Sequence, residues 1–209
     1  MGAREAGGGD VVDTDEGFWA TFRRSIRWNV LRRTDGWVEQ TGPVSCGAAA
    51  LTMLLRAIDG GDRPAAPLLA DILAATGEDQ EASLADLQAC AVARGYLAHA
   101  YALSIDDLFM VDRPAVVHWR SRGRGPSSGH FVVLRGWGSG HVLVVDPARG
   151  NRFWPVGRFR KFFCDASGEG RVLYVAPSGA DWLPLDEATL MVRAVSSASP
   201  LSHHWHRYF

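Results

Sequence analysis

The sequence predicts an α+β fold, in which helices from the first half of the chain pack on a mostly antiparallel sheet formed by the second half. Up to about Arg94, apolar residues recur at helical spacing. Beyond that point, short runs of β-branched and aromatic residues are separated by turn residues, which is typical of strands. The chain has 209 residues, of which 47% are hydrophobic. That is enough for one buried core and too little for two full domains.

The chain begins with a segment, residues 1–17, that we interpret as a flexible tail because it is rich in glycine and poor in apolar side chains. The globular part is expected to span residues 18–177. It opens with a predicted helix in which Phe18, Phe22 and Ile26 share one face.

Further helices are predicted before the sheet. The clearest is residues 46–58, where alanines and leucines continue until two glycines stop the helix. Residues 68–76 and 83–94 also have helical spacing, and Ser83 is a suitable N-cap for the latter. A later helix, packed by its phenylalanines, is predicted at residues 156–163. The predicted strands are residues 96–103, 114–119, 131–136, 142–145 and 172–175.

The C-terminal residues 178–209 are expected to form an extension of unknown role. Residues 185–195 have the spacing of an amphipathic helix, and a histidine-rich stretch follows near the chain end. Clustered histidines can bind metal, but terminal tails of this kind more often lack fixed structure. We therefore predict no metal site and no cofactor.

Charge and composition argue against several classes of function. The formal net charge is -1, so no strong positive field indicates nucleic-acid binding. No apolar run approaches the ~18 residues that cross a bilayer, and the first residues do not resemble a secretory signal. Three cysteines do not make a disulfide framework. We predict a cytoplasmic protein that neither binds nucleic acid nor inserts into a membrane.

Cys46 is the candidate nucleophile. At the first turn of a helix it meets unpaired backbone N–H groups and the positive end of the helix dipole. Both favour the thiolate, which is the form that attacks carbonyl carbon. Gly47 leaves room for a substrate backbone beside it. The alternative is a small buried apolar residue, which is how we interpret Cys90, while Cys164 has no base candidate beside it.

His130 and His118 compete for the role of general base. His130 stands between Gly129 and Phe131 at the start of a predicted strand, which would hold it firmly after a flexible loop. His118 lies inside an apolar strand, where a histidine is more often structural. On spacing alone, His130 ranks only slightly ahead.

Asp146 and Gln40 are candidate partners of this pair. A carboxylate at the end of a strand next to that of His130 can accept the imidazole N–H and set its tautomer. Asp146 also precedes Pro147, and Asp-Pro commonly starts a turn. The side-chain amide of Gln40 can donate to the oxyanion of a tetrahedral intermediate together with the Cys46 N–H. Taken singly, Gln40 is only a polar loop residue.

In combination, these residues resemble the double-glycine leader peptidases. This family of papain-like cysteine peptidases includes the cytosolic peptidase domains of bacteriocin-exporting ABC transporters and their stand-alone relatives. The resemblance covers roughly residues 31–177 and rests on the order and spacing of several boxes. The boxes are residues 40–53 around the nucleophile, 83–96 for the middle helix and turn, 114–119 for the strand before the base, 129–134 for the histidine and 146–150 for the aspartate.

The resemblance implies a papain-like fold and a division of roles among the candidates. Cys46 would attack the scissile carbonyl, His130 would transfer the proton, and Asp146 would hold His130. Gln40 would help to form the oxyanion hole, and His118 would occupy a structural strand position.

The implied substrate is a ribosomally made precursor peptide, cut after a Gly-Gly or Gly-Ala pair that ends its leader, as in bacteriocin maturation. Gly47, Gly129 and Phe131 are expected to contact it, and an amphipathic leader helix is expected to dock in an apolar groove. The chain is identified as a stand-alone form that would work with a separate ABC exporter. One departure is Ser45, because the exporter domains often carry an aspartate just before the nucleophile.

Two alternatives stay open. Phytochelatin synthases are papain-like acyltransferases with similar cysteine and histidine boxes, and they act on γ-glutamylcysteine peptides; residues 114–119 and 146–150 favour the leader peptidase. The other alternative is a catalytically silent module that binds leaders without cutting them. The presence of Cys46, His130 and Asp146 favours catalysis.

Overall fold

The computed structural model describes residues 36–77, 80–111, 113–120, 129–138 and 140–180. The predicted tail, the predicted helix that follows it and the predicted helix at residues 185–195 lie outside these ranges. In chain order the described elements are α1 (Cys46–Ile58), α2 (Ala65–Thr76), α3 (Leu84–Ala93), β1 (Leu97–Ser104), α4 (Ile105–Val111), β2 (Ala115–Arg120), β3 (Gly129–Gly138), β4 (His141–Asp146), β5 (Gly150–Pro155), α5 (Val156–Phe163) and β6 (Glu169–Ala176).

The strands form one six-stranded sheet in the order β1-β6-β2-β3-β4-β5. Each pairing in it is antiparallel. In the described ranges, three helices precede the first strand, so the predicted α+β class is confirmed. None of the helices in the described ranges is long and apolar enough to cross a membrane.

Helix α1 is the central helix of the core. Its residues from Cys46 to Leu55 are all buried, as expected for a helix that is apolar on every side. It begins and ends at the predicted residues. The buried hydroxyl of Thr52 donates to the Ala48 carbonyl at 2.8 Å, so even its polar side chain is satisfied within the helix.

The sequence predicted the start of α3 correctly and placed the start of α2 too late. The predicted N-cap of α3 is confirmed: Ser83 Oγ accepts from the Asp86 N–H, and the Asp86 carboxylate accepts from the Ser83 N–H, which makes a capping box. Helix α2 begins at Ala65, three residues before the predicted start. Pro67 lies in its first turn, where the missing N–H would have no partner in any case.

Two apolar clusters cover the two faces of the sheet. One lies under α1, α2 and α3 and includes Leu51, Val133 and Leu173. The other lies on the opposite face with α5 and includes Val132 and Phe159. Because both faces are covered, β3 is buried almost without interruption and does not show the alternation of a half-exposed strand.

Helix α4 and strand β5 were not predicted. Helix α4 follows β1 directly and is capped by Ser104, whose Oγ accepts from the Asp107 N–H at 3.1 Å. Strand β5 forms one edge of the sheet and ends at Pro155. A proline is tolerated at an edge because its missing N–H is not needed for pairing.

The antiparallel pairing of β3 and β4 brings the start of one strand beside the end of the other. His130 is the second residue of β3, and Asp146 is the last residue of β4. The beginning of α1 packs on this end of the sheet, since a Cβ atom at Gly47 would stand 3.1 Å from Phe131 Cδ2. The fold therefore brings three of the candidate residues to one place.

Candidate active site

His130 and Asp146 form a close pair. The Nε2 atom of His130 lies 2.8 Å from Asp146 Oδ1. The Asp146 side chain is only 4% exposed, whereas that of His130 is 22% exposed. The aspartate is thus withdrawn from solvent, and the histidine keeps a face open to a reactant.

Cys46 is the first residue of α1, directly after the N-cap residue Ser45. The Ser45 side chain makes no capping hydrogen bond. The first backbone N–H groups of α1, beside Cys46, therefore lack intrahelical partners. The Cys46 side chain is hydrogen-bonded to His130. Since Nε2 of the ring is bonded to Asp146, the imidazole lies between a carboxylate and a thiol.

The electrostatics of the site favour a charged imidazole. Burial alone would lower the pKa of His130. Hydrogen bonds to Asp146 and Cys46, and the negative charges of both groups, outweigh that effect and raise its pKa to about 9. His130 therefore holds its proton at neutral pH.

Asp146 is itself held by the backbone around it. Its Oδ1 atom also accepts from the Ala148 N–H at 2.9 Å, which is an Asx turn. Its carbonyl oxygen accepts from the Arg149 N–H at 3.0 Å. The turn-forming role and the histidine-binding role that the sequence left as alternatives are both present in one side chain.

Gln40 lies on the loop that leads into α1. Its Nε2 atom donates to the Gly42 carbonyl at 2.9 Å, and its Oε1 atom is buried without a hydrogen-bond partner among the described residues. An amide nitrogen carries two hydrogens, so one donor remains after the bond to Gly42. Gln40 thus lies on the loop that leads to Cys46, and its side chain is turned back on that loop.

The three residues expected to contact substrate have packing roles here. Gly47 faces Phe131 and Leu87, and it is buried. Gly129 lies under the ring of His118, and Phe131 is 5% exposed. Their predicted contact with substrate stays a prediction.

His118 sits next to the pair without joining it. Its ring is tilted against Phe131, with centroids 5.1 Å apart. Burial lowers the pKa of His118, and the positive charges of Arg171, Arg120 and His130 lower it further. The lowered pKa keeps His118 neutral at pH 7, and the charged groups that act on it within the described residues are all cationic.

One residue of the site was missed by the sequence reasoning. The indole Nε1 of Trp37 donates to the backbone carbonyl of Asp146 at 3.0 Å. No local pattern around Trp37 indicates this contact, because its partner is 109 residues away.

The other two cysteines have different surroundings. Cys90 is buried, as predicted, and accepts a hydrogen bond from Arg94 Nη1. Burial raises the pKa of both Cys90 and Cys164. In the described part of the chain, no group of three or more His, Cys, Asp or Glu side chains is arranged to hold a metal ion.

Comparison with known proteins gives a family and two kinds of relative. A model of the peptidase C39 family matches residues 35–177. The probable functional amyloid protease FapD of Pseudomonas aeruginosa is 31% identical over 134 residues, 62% of this chain and 58% of that protein. The probable microcin-H47 secretion/processing ATP-binding protein MchF of Escherichia coli is 28% identical over 138 residues, 66% of this chain and 18% of that protein. The chain spans little more than half the length of FapD and under a fifth of MchF.

Solved structures are similar over most of their own length. The double glycine motif protease of an AMS/PCAT transporter, crystallised with a leader peptide, superposes with a TM-score of 0.54 at 25% identity, covering 68% of this chain and 90% of that one. The peptidase domain of Streptococcus ComA has the same TM-score at 18% identity, covering 67% and 96%. These likenesses confirm the fold, and the family model covers well over half of the chain. The chain therefore belongs to the peptidase C39 family, as its resemblance to the double-glycine leader peptidases predicted.

Proposed function

We propose that the chain is a cysteine endopeptidase in which Cys46 is the nucleophile, His130 the general base and acid, and Asp146 the residue that orients His130. The observation that carries the proposal is the position of His130, bonded to Asp146 at 2.8 Å and also to Cys46, with its pKa raised to about 9. An imidazolium next to a cysteine at a helix N-terminus is the arrangement that supplies a reactive thiolate.

In the proposed reaction, the Cys46 sulfur attacks the scissile carbonyl carbon. The C–N bond breaks as His130 gives its proton to the leaving amine, and a thioester remains on Cys46. Neutral His130 then takes a proton from water, whose oxygen attacks the thioester carbon. The sulfur leaves as thiolate and the imidazolium is restored. Asp146 keeps the ring in one orientation throughout.

The oxyanion of each tetrahedral intermediate needs donors that are already in place. The Cys46 N–H lies in the first turn of α1, where backbone donors have no helical partner. The second donor is the Gln40 amide, which has one hydrogen left after its bond to Gly42. The bond to Gly42 supports this role because it limits rotation of the amide.

The proposed substrate is a precursor peptide that is cut after a Gly-Gly or Gly-Ala pair at the end of its leader. The support is the likeness, at 25% identity, to a double glycine motif protease whose crystal structure contains a leader peptide. Gly47, Gly129 and Phe131 would face the pair, and a subsite this narrow excludes larger side chains.

The proposed setting is the cytoplasm, where the peptidase serves an ABC exporter in the maturation of a bacteriocin-like peptide. The support for an exporter as partner is the similarity to MchF, whose name includes secretion, processing and ATP binding.

A second candidate substrate follows from FapD. That relative is named a functional amyloid protease and is 31% identical over 134 residues. A functional amyloid protein is therefore the alternative to a bacteriocin precursor, with the same chemistry at Cys46.

The test is cleavage of a panel of double-glycine leader peptides, read by mass spectrometry, with wild type and Cys46→Ala. Cleavage after the glycine pair that disappears in the variant is the expected result. Cys164→Ala is the matched control, because this half-buried cysteine lies outside the site and should leave cleavage unchanged.

Other outcomes separate the alternatives. Binding of leaders by wild type without any cutting would make the chain a recognition module. Formation of γ-glutamylcysteine polymers from glutathione and cadmium would make it an acyltransferase of the phytochelatin synthase kind. Cleavage confined to functional amyloid proteins would favour the FapD-like substrate.

A further inference from the structure

We propose that Trp37 is a positioning residue, which ties Asp146 to the loop that carries Gln40 and Cys46. The inference rests on the proposed function of the same site. It assigns a role to a side chain that touches neither the substrate nor the reacting atoms.

The first observation is a pair of hydrogen bonds between two distant segments. Trp37 Nε1 donates to the Asp146 carbonyl at 3.0 Å, and the Gln40 backbone N–H donates to the Pro147 carbonyl at 3.2 Å. The start of the nucleophile loop is thereby fastened to the end of β4.

The second observation is that hydrogen bonds continue from this point to the nucleophile. Gln40 Nε2 donates to the Gly42 carbonyl at 2.9 Å, and the Gly42 N–H donates to Ser45 Oγ at 3.0 Å. The Ser45 hydroxyl in turn donates to the Gly42 carbonyl at 3.0 Å. Ser45 directly precedes Cys46, so a continuous set of bonds joins Asp146 to the residue before the nucleophile.

The third observation concerns what the indole adds. The Asp146 carboxylate accepts from His130 and Ala148, and its carbonyl accepts from Arg149. All of these bonds lie within the β3 to β5 side of the site. Among the described side chains, Trp37 is the one that donates to Asp146 from the segment leading into α1. It therefore fixes the position of Asp146 relative to that segment.

The distance between the Asp146–His130 pair and Cys46 affects the rate of the proposed reaction. Proton transfer between His130 and Cys46 requires their atoms to stay within hydrogen-bond reach, and small displacements of a reacting pair lower the rate steeply. The Trp37 ring also packs on the apolar cluster around α1. A phenylalanine at this position keeps an aromatic ring in the cluster and removes the donor.

The test is Trp37→Phe, with Trp137→Phe as the matched control. Trp137 is also part of the core, where it stacks on Phe109, but its Nε1 atom has no hydrogen-bond partner among the described residues. With a leader peptide that wild type cuts, Trp37→Phe is expected to lower kcat about three- to tenfold with KM unchanged, the effect of one lost hydrogen bond. Trp137→Phe should leave kcat unchanged.

A second readout does not need a substrate. The pKa of His130, followed by NMR of its ring protons, is expected to move below its wild-type value of about 9 in Trp37→Phe and to stay in place in Trp137→Phe. Equal kcat and equal His130 titration in all three proteins would overturn the proposal. So would a loss of thermal stability in Trp37→Phe with both readouts unchanged, since that marks a core residue only.

Two further experiments separate failure of the Trp37 proposal from misfolding of the variant and from failure of the proposed function. If Trp37→Phe does not fold, 3-benzothienylalanine in place of Trp37 keeps the ring shape and replaces the N–H by sulfur, with the same results expected. If wild type cuts no peptide, the proposed function fails. The His130 titration then still decides whether Trp37 positions the pair.

Discussion

His118 and His130 lie on paired strands, one residue away from facing each other, and they have opposite surroundings. Trp119 is the partner of His130 in the ladder between β2 and β3, and His118 is the partner of Phe131. Burial lowers the pKa of each histidine. For His118 the neighbouring charges are Arg171 and Arg120, which lower it further. For His130 the neighbours are Asp146 and Cys46, which raise it to about 9.

The difference teaches that a strand position does not make a histidine a base. The two rings point to opposite faces of the sheet, because His118 is paired with Phe131 and His130 with Trp119. Both are partly withdrawn from solvent, and each is in contact with the aromatic ring of its partner. What separates them is the carboxylate at the end of β4, which only His130 reaches. The charges beside each ring decide whether the pKa of the histidine ends below or above its ordinary value.

The sharpest test of the comparison replaces each histidine by asparagine. His130→Asn is expected to lower kcat/KM for a leader peptide by about 10²- to 10⁴-fold, because the proton-transfer group is lost. His118→Asn should stay within about threefold of wild type, since a structural side chain adds little to the rate beyond local packing. Initial cleavage rates measure both. Similar losses of kcat/KM in the two variants would contradict the proposed difference in role between His130 and His118.

Asp146→Asn should make the pKa of His130 more like that of His118, which has no raising contribution from a carboxylate. The amide keeps the shape of the carboxylate but removes its charge, so we expect the pKa of His130 to fall from about 9 and kcat to fall about 10²-fold. NMR titration and cleavage rates are the measurements. Asp165→Asn, at an exposed carboxylate whose salt bridge is to Arg120, is the control and should change neither.

The pH dependence of the reaction tests the same charge. His130 must carry a proton to release the leaving amine, so the rate is expected to fall about tenfold per unit as pH rises beyond about 9. The folded pKa lies above the ordinary histidine value of about 6.5. The stability that protonated His130 contributes is therefore complete below about pH 6.5 and is lost as pH rises through about 9. A cleavage rate that declines already near pH 7 would contradict the raised pKa.

The smallest expected change is one of stability, in Gly129→Ala, which tests how closely the His118 ring packs on the start of β3. A Cβ atom at Gly129 would overlap the His118 ring, so that ring must move, at a cost of about 1–3 kcal/mol in the free energy of unfolding. Thermal or denaturant unfolding measures the cost. Adding His118→Ala removes the overlapping ring and should recover part of the loss. No recovery in the double variant would show that the strain lies elsewhere.

Helix α1, which begins at the candidate nucleophile, was predictable because its signals are local. The alanine and leucine run and the two glycines after it set both ends of α1, and the capping box of α3 was recognisable from Ser83. Helix α4 carries a similar signal, since Ser104 and Asp107 have capping spacing, and that pattern was available to find it. Strand β5 had no such signal, because its side chains do not alternate and it ends in proline.

The site was predictable in its members but only partly in its geometry. Antiparallel order along the chain places the start of β3 beside the end of β4, which is why His130 and Asp146 were expected together. The choice between His130 and His118 came from family resemblance. The residues alone did not settle it, because each histidine has the same local setting of an apolar strand.

The amino-acid sequence by itself determined helices α1, α3 and α5, the α+β order and the candidate nucleophile at a helix start. Each of these depends on residues within a few positions of one another. Only the tertiary structure decided which histidine meets a carboxylate and which side chain ties Asp146 to the nucleophile loop. The physical reason is distance along the chain: the Trp37–Asp146 bond joins residues 109 positions apart, and no local pattern records such a contact.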